Sequence, residues 1–260
     1  MSIVFAFLIT LIAGLATGIG AIFAFFSKKE NIVFLSISLG FSAGIMIYLS
    51  FMEILPASLN IVSQVWGYLG FFIGAFIIGI IDKVIPNNEN PHEFFHRQSD
   101  LKKLQTSHTR HHLLKIGILT ALSIAIHNFP EGFITFMSLL EYPQIGIGIA
   151  VAIALHNIPE GMAVSVPILY ATGSRKKAFW YSFLSGLSEP MGALFGYILL
   201  QPFLSQTVWG MILSATAGIM VYIALEELLP TAKRYSQNHL SILSVFIGMF
   251  VAFFSLWILP

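Results

Sequence analysis

The sequence predicts an all-α polytopic membrane protein of eight transmembrane helices, in which an inverted repeat of three helices encloses a central pair. Three observations predict it: an apolar composition, basic residues confined to alternate loops, and a set of motifs written twice. Of 260 residues, 57% are hydrophobic and only 10% charged, and the mean hydropathy is +0.84. A soluble domain carries about 25% charged residues, so this chain lacks the polar groups to coat a water-facing surface, and the lipid bilayer is its expected environment. The same composition excludes disorder and a collagen-like fibre. A formal net charge of +1 and few Lys or Arg residues exclude nucleic acid as a partner. The absence of cysteine excludes a disulfide scaffold, thiolate catalysis and a Cys-ligated metal.

A bilayer core takes about 20 apolar residues per helix. Hydropathy places spans at roughly 2–26, 32–55, 63–85, 113–140, 145–170, 178–200, 207–229 and 239–259, with one long polar loop at roughly 86–112. The first stretch is too long, and too bare of positive charge at its start, to read as a cleaved signal peptide; it is expected to be helix one. Lys28 and Lys29 lie between spans one and two. Lys83, Arg97, Lys102, Lys103, Arg110 and Lys115 lie between three and four. Arg175, Lys176 and Lys177 lie between five and six, and Lys233 and Arg234 between seven and eight. These are all 13 basic residues. Basic loops stay cytoplasmic, so a multi-pass chain with both termini outside the cytoplasm is expected. A wrong helix count would have scattered these charges over both sides.

Span two reads Ala43-Gly-Ile-Met46-Ile-Tyr48 and ends in Glu53-Ile-Leu-Pro56; span seven reads Ala217-Gly-Ile-Met220-Val-Tyr222 and ends in Glu227-Leu-Leu-Pro230, an offset of 174. Gly14-Leu15 and Gly20-Ala21 of span one recur as Gly186-Leu187 and Gly192-Ala193 of span six, an offset of 172. Phe72-Ile73-Gly74 recurs as Phe246-Ile247-Gly248. Spans one to three therefore match spans six to eight, and partners five helices apart cross the membrane in opposite directions. The expected organisation is a single transmembrane domain over 1–260. It divides into repeat A at 1–85, a His-containing cytoplasmic loop at 86–112, a central helix pair at 113–170 and repeat B at 178–260. Inverted repeats around a midplane site are characteristic of secondary transporters.

The central pair carries its own repeat: His127-Asn128-Phe129-Pro130-Glu131-Gly132 and His156-Asn157-Ile158-Pro159-Glu160-Gly161, an offset of 29. Ionisable side chains inside a membrane cost about 2.5–3.5 kcal/mol each on insertion scales and mark function. Four-residue spacing puts each His and Glu on one helix face, and two antiparallel helices would bring two His, two Asn and two Glu together. Pro130 and Pro159 cannot donate to the preceding turn and push their helices open; the freed carbonyls need partners. Glu131, Glu160 and Glu189 of the Ser188-Glu189-Pro190 step lie deep in the spans, where no Lys or Arg does. Unpartnered buried carboxylates are expensive, and a divalent cation neutralises two charges at once. His nitrogen with Glu and Asn oxygen, and Met46 sulfur as a further candidate, form a mixed set. It suits Zn(II), Fe(II), Mn(II), Co(II) or Cd(II), and lacks copper's thiolates.

The paired hexapeptides, the Ser188-Glu189-Pro190 step and the eight spans resemble the ZIP (Zrt-, Irt-like) metal transporter family and, within it, the bacterial ZupT-type subfamily. The resemblance covers essentially the whole chain. It implies a 3+2+3 helix arrangement in a bacterial plasma (inner) membrane, with a binuclear metal site between helices four and five. His127, Glu131 and Glu160 would form the first position, with His156 and Met46 as additional ligands. Asn128, Asn157 and Glu189 would form the second, bridged by Glu131 and Glu160. Many members of the family carry Gln where His156 stands or Asp where Asn157 stands, a difference that bears on metal preference. Zn(2+) or Fe(2+) would be the transported substrate, with no organic cofactor.

Orientation puts Glu53 near the outer face as a candidate entrance residue, and Glu226 and Glu227 near the cytoplasmic exit; each of them could equally be a carboxylate snorkelling to water. Five histidines, His92, His96, His108, His111 and His112, fall in or next to the long loop, a composition that fits a flexible loop with weak metal binding. His239 is expected to be interfacial. The Gly14/Gly18 and Gly70/Gly74 patterns permit close packing within a chain or in a homodimer. The leading expectation is uptake of divalent metal ions into the cytoplasm, so no enzyme. An intramembrane metal-dependent enzyme is the second reading, against which His-x-x-x-Glu stands in place of HExxH and the Glu-x-x-His motif is missing. Export is the third, since loop sidedness does not set the direction of flow.

Overall fold

The computed structural model describes residues 1–26, 32–84, 107–200, 203, 205–235 and 239–258, and every regular element among them is helical. Helix α1 is Ile3–Phe26. α2, Ile32–Leu49, passes through a π-turn at Ser50–Ile54 into α3, Leu55–Leu59. α4 is Gln64–Val84, α5 Ser107–Glu141 and α6 Pro143–Thr172. Span six comprises two helices, α7 at Arg175–Gly186 and α8 at Ser188–Leu200. α9, Gln206–Ile223, passes through a second π-turn at Ala224–Leu228 into α10, Leu229–Tyr235, and α11 is Leu240–Ile258.

Seven stretches among the described residues are long and apolar enough to cross a membrane. The fourth expected span, 113–140, lies wholly within α5 and carries His127, Asn128, Pro130 and Glu131. Its helix also begins earlier than hydropathy suggests, at Ser107, and so brings His108, His111 and His112 into its first turns, where side chains lie outside the described residues. His92 and His96 lie outside them altogether.

Helix ends follow local chemistry. Ser174 and Ser205 cap α7 and α9, their side-chain oxygens accepting from the amides of Lys177 and Val208. Such a cap satisfies one of the donors every helix start leaves open. α6 ends at Gly173, whose φ of 66° lies in the left-handed region that favours glycine. The π-turns each precede a proline, Pro56 and Pro230. In both, an amide reaches five residues back, from Leu55 to the Ser50 carbonyl and from Leu229 to that of Ala224. π-bulges are rare and gather at functional sites. These two hold Glu53 and Glu227 at repeat-equivalent positions, one irregularity per copy.

The helices pack as two blocks joined where α2 lies against α6. In one, α5 and α6 lie against each other and against α1, α7 and α8; in the other, α2 packs on α11 and α4 on α9. Glycine makes both blocks tight, and the contacts come in pairs related by the sequence offset. A Cβ on Gly20 would strike the Ile158 carbonyl, and one on Gly192 that of Phe129. A Cβ on Gly74 would meet the Ala215 carbonyl, and one on Gly248 that of Phe41. The close approaches across the two copies are thus the same approaches made twice. The outer faces are apolar: Phe72 and Phe76 of α4 and Phe246 and Phe250 of α11 are all exposed, as helices meeting lipid require.

Candidate metal site

The two hexapeptides meet where α5 crosses α6. Gly132 and Gly161 seat each of the two helices on a neighbour: a Cβ on the former would strike the Glu189 carbonyl of α8, and one on the latter the Thr17 carbonyl of α1. His127, Asn128, Glu131, His156, Asn157, Glu160 and Glu189 are all buried, none more than 1% exposed. The pairing is crossed. His127 Nε2 stands 3.3 Å from Glu160 Oε1, and His156 Nε2 stands 3.2 Å from Glu131 Oε2. A longer approach of 3.9 Å joins His156 to Glu160 within α6. Each histidine therefore faces the carboxylate of the other copy. Among the described residues no three His, Asp or Glu side chains converge on one point as they stand; the centre is a chain of neighbouring donors.

Glu189 arrives from α8. The break at Leu187 places it in the first turn of that helix, where the open amides favour a negative charge. Asn157 holds it there: its Nδ2 donates to Glu189 Oε1 and, at 2.8 Å, to the Ala13 carbonyl of α1. The copies differ here. Asn128, the equivalent of Asn157, has both amide atoms buried without a protein partner, as are Glu160 Oε2, Glu189 Oε2 and Glu131 Oε1. Buried polar atoms nearly always find partners, and here several without one in the protein lie on the two hexapeptides and Glu189. No Lys or Arg is buried among the described residues.

The remaining sequence candidates separate. Met46 is fully buried on α2, in the apolar core that also holds Ile153 of α6. Glu53 is half-buried, Glu226 exposed and Glu227 buried at 6%. Two residues escaped the sequence reading. Ser123 and Thr135 stand one turn before His127 and one turn after Glu131, which gives α5 a buried polar row at four-residue spacing. Ser123 bonds to Glu227, whereas the Thr135 hydroxyl has no partner in the protein. Their spacing was the available signal, but isolated Ser and Thr are common in apolar helices. α6 has no such row, with Ala152 and Val164 at the equivalent positions.

A helical bundle with spans long and apolar enough to cross a membrane, closed around a buried, doubled His–Asn–Glu centre, defines the class of a polytopic membrane protein. The sequence pattern described as the ZIP Zinc transporter matches residues 83–256. A zinc transporter ZupT from Lysinibacillus sphaericus is 52% identical over 266 residues, covering 99% of this chain and 98% of the relative. Those of Streptococcus mutans and Clostridium perfringens are 51% and 50% identical, covering 96% and 98% of this chain and 96% of each relative. The chain belongs to the ZIP transporter family.

Proposed function

We propose that this protein carries zinc into the cytoplasm through the centre between α5 and α6, with Fe(II), Mn(II), Co(II) and Cd(II) as competing substrates. The observation that carries the reading is the spacing of the crossed pairs. Two ligands of a tetrahedral ion bonded at about 2.0–2.1 Å stand about 3.3 Å apart. The His127–Glu160 and His156–Glu131 separations of 3.3 and 3.2 Å match that spacing. They are long for a charge-assisted hydrogen bond, which prefers about 2.7–2.9 Å. His127, Glu131, Glu160 and His156 form the first ion position, with Met46 as a further ligand. Asn128, Asn157 and Glu189 form a second, with Glu131 and Glu160 shared between the two. The unmet amide of Asn128 and the unmet oxygens of Glu131, Glu160 and Glu189 support it.

Sharing gives the centre its transport chemistry. A path conducts only when ions bind well enough to enter and weakly enough to leave, and a second ion drawing on the same carboxylates loosens the first. Glu53 serves the outer mouth and Glu226 with Glu227 the inner one, in a plasma membrane with both termini outside. Import in that frame is supported by kinship with the ZupT proteins; the confinement of basic residues to one set of loops supports the sidedness alone. The test is uptake of radioactive zinc by vesicles, with iron, manganese, cobalt and cadmium as competitors and a proton gradient imposed or collapsed. Zinc uptake that survives the double change Glu131→Ala, Glu160→Ala would overturn the reading.

A further inference from the structure

We propose that Ser123 is a positioning residue that latches Glu227 to α5 and so holds one mouth of the ion path closed. This rests on the transport reading above. The Ser123 hydroxyl lies 3.2 Å from Glu227 Oε1 and 3.4 Å from Oε2, and donates to that carboxylate. Both residues are buried, at 7% and 6% exposure. Ser123 stands one turn from His127 on the same face of α5, within the block that holds the ion centre. Glu227 sits on the π-turn at Ala224–Leu228, in the other block. The bond therefore ties the two blocks together beside the centre.

The repeat supplies an internal control. The position equivalent to Ser123 on α6 is Ala152, and the residue equivalent to Glu227 is Glu53. Alanine offers no hydroxyl, and Glu53 is half-buried on its own π-turn. One fold element, built twice, thus pairs a donor with a buried acid in one copy, while the other has alanine at the donor's position and a partly exposed acid at the acid's. A hydroxyl–carboxylate bond is also one that a cation can undo. An ion moving from His127 towards Glu227 takes over the carboxylate, and the hydroxyl loses its acceptor. The latch opens when cargo reaches it.

The chain has no cysteine, so a single introduced thiol can report on this mouth. Thr231, one turn beyond Glu227, accepts a near-isosteric Thr231→Cys change. Labelling by a membrane-impermeant maleimide is measured on each face of vesicles for Thr231→Cys alone and combined with Ser123→Ala or Ser123→Thr, alongside zinc uptake. The latch requires Ser123→Ala to raise the labelling rate about tenfold, and to change the maximal uptake rate more than the half-saturating zinc concentration. Ser123→Thr, which keeps the hydroxyl, restores both. Equal labelling rates in all three proteins overturn the latch. Absence of zinc uptake in the unmodified protein overturns the transport reading instead, and the labelling rates still decide the latch.

Discussion

His127 and Glu160 belong to different copies of the hexapeptide, yet they face each other at 3.3 Å, while His156 and Glu131 make the reciprocal contact at 3.2 Å. Within one helix the His–Glu spacing of four residues only puts the two side chains on one face. Between helices the crossing makes every ionisable group of one copy depend on the other. Truncation of one member of a buried pair costs about 3–5 kcal/mol, because the remaining group is left unmatched. Glu160→Ala is therefore expected to lower both the amount of folded protein and zinc uptake. Glu160→Gln, which keeps shape and hydrogen bonding, is expected to fold and to lose at least about tenfold in uptake. Chromatographic yield beside vesicle uptake separates the two effects.

The two asparagines are expected to behave differently although the motif makes them equivalent. Asn157 donates to Glu189 and to the Ala13 carbonyl, so Asn157→Ala takes the side-chain donor from a buried carboxylate and the second donor from a helical carbonyl. The cost of such loss is about 1–3 kcal/mol per group, and the melting temperature in detergent is expected to fall. Asn128 has no protein partner to abandon. Asn128→Ala is expected to leave the melting temperature nearly unchanged and to weaken zinc-dependent stabilisation. A similar fall in melting temperature for both variants would contradict this assignment.

Gly161 tests the packing that brings α6 to its place. A Cβ there would run into the Thr17 carbonyl and stand 3.0 Å from the Ser182 hydroxyl, and that hydroxyl already donates to the Thr17 and Gly161 carbonyls. A backbone carbonyl cannot swing aside as a flexible side chain can. Gly161→Ala is expected to destabilise by about 1–3 kcal/mol, the usual cost of overpacking, and to reduce uptake through displaced His156 and Glu160. Thermal unfolding with and without zinc would show the displacement as a lost zinc-induced shift. An unchanged shift would mean that the helix contact does not set the site.

Thr135 adds a partnerless buried hydroxyl one turn beyond Glu131. Thr135→Val keeps the shape and removes the oxygen. A few-fold rise in the zinc concentration for half-maximal uptake is expected, with stability unchanged or improved, since a buried unmet polar group is itself unfavourable. Saturation curves for the two proteins measured side by side decide it.

Much of this molecule is written locally. Apolar runs, the confinement of Lys and Arg to alternate loops and the recurrence of Glu53-Ile-Leu-Pro56 as Glu227-Leu-Leu-Pro230 disclose spans, sidedness and duplication, because each depends on composition or on a fixed sequence interval. The hexapeptides disclose a polar centre in the same way, since a four-residue interval is one helical turn. Hydropathy starts the fourth span near 113 and the hexapeptide marks its polar centre, whereas α5 runs from Ser107 and extends that centre into a row from Ser123 to Thr135. That row was illegible because Ser123 and Thr135 acquire meaning only from what stands opposite them.

What only the tertiary structure decided is partnership. Which His meets which Glu, why Asn157 is anchored while Asn128 is not, and how Glu227 finds Ser123 all depend on the angle and distance at which helices cross. The seating of α6 on α1 and of α5 on α8 rests on backbone approaches at Gly20, Gly161, Gly132 and Gly192, contacts between residues far apart in the chain that no local period encodes. Side-chain identity along each helix determined that a polar centre exists; close packing between helices determined which of its atoms face one another.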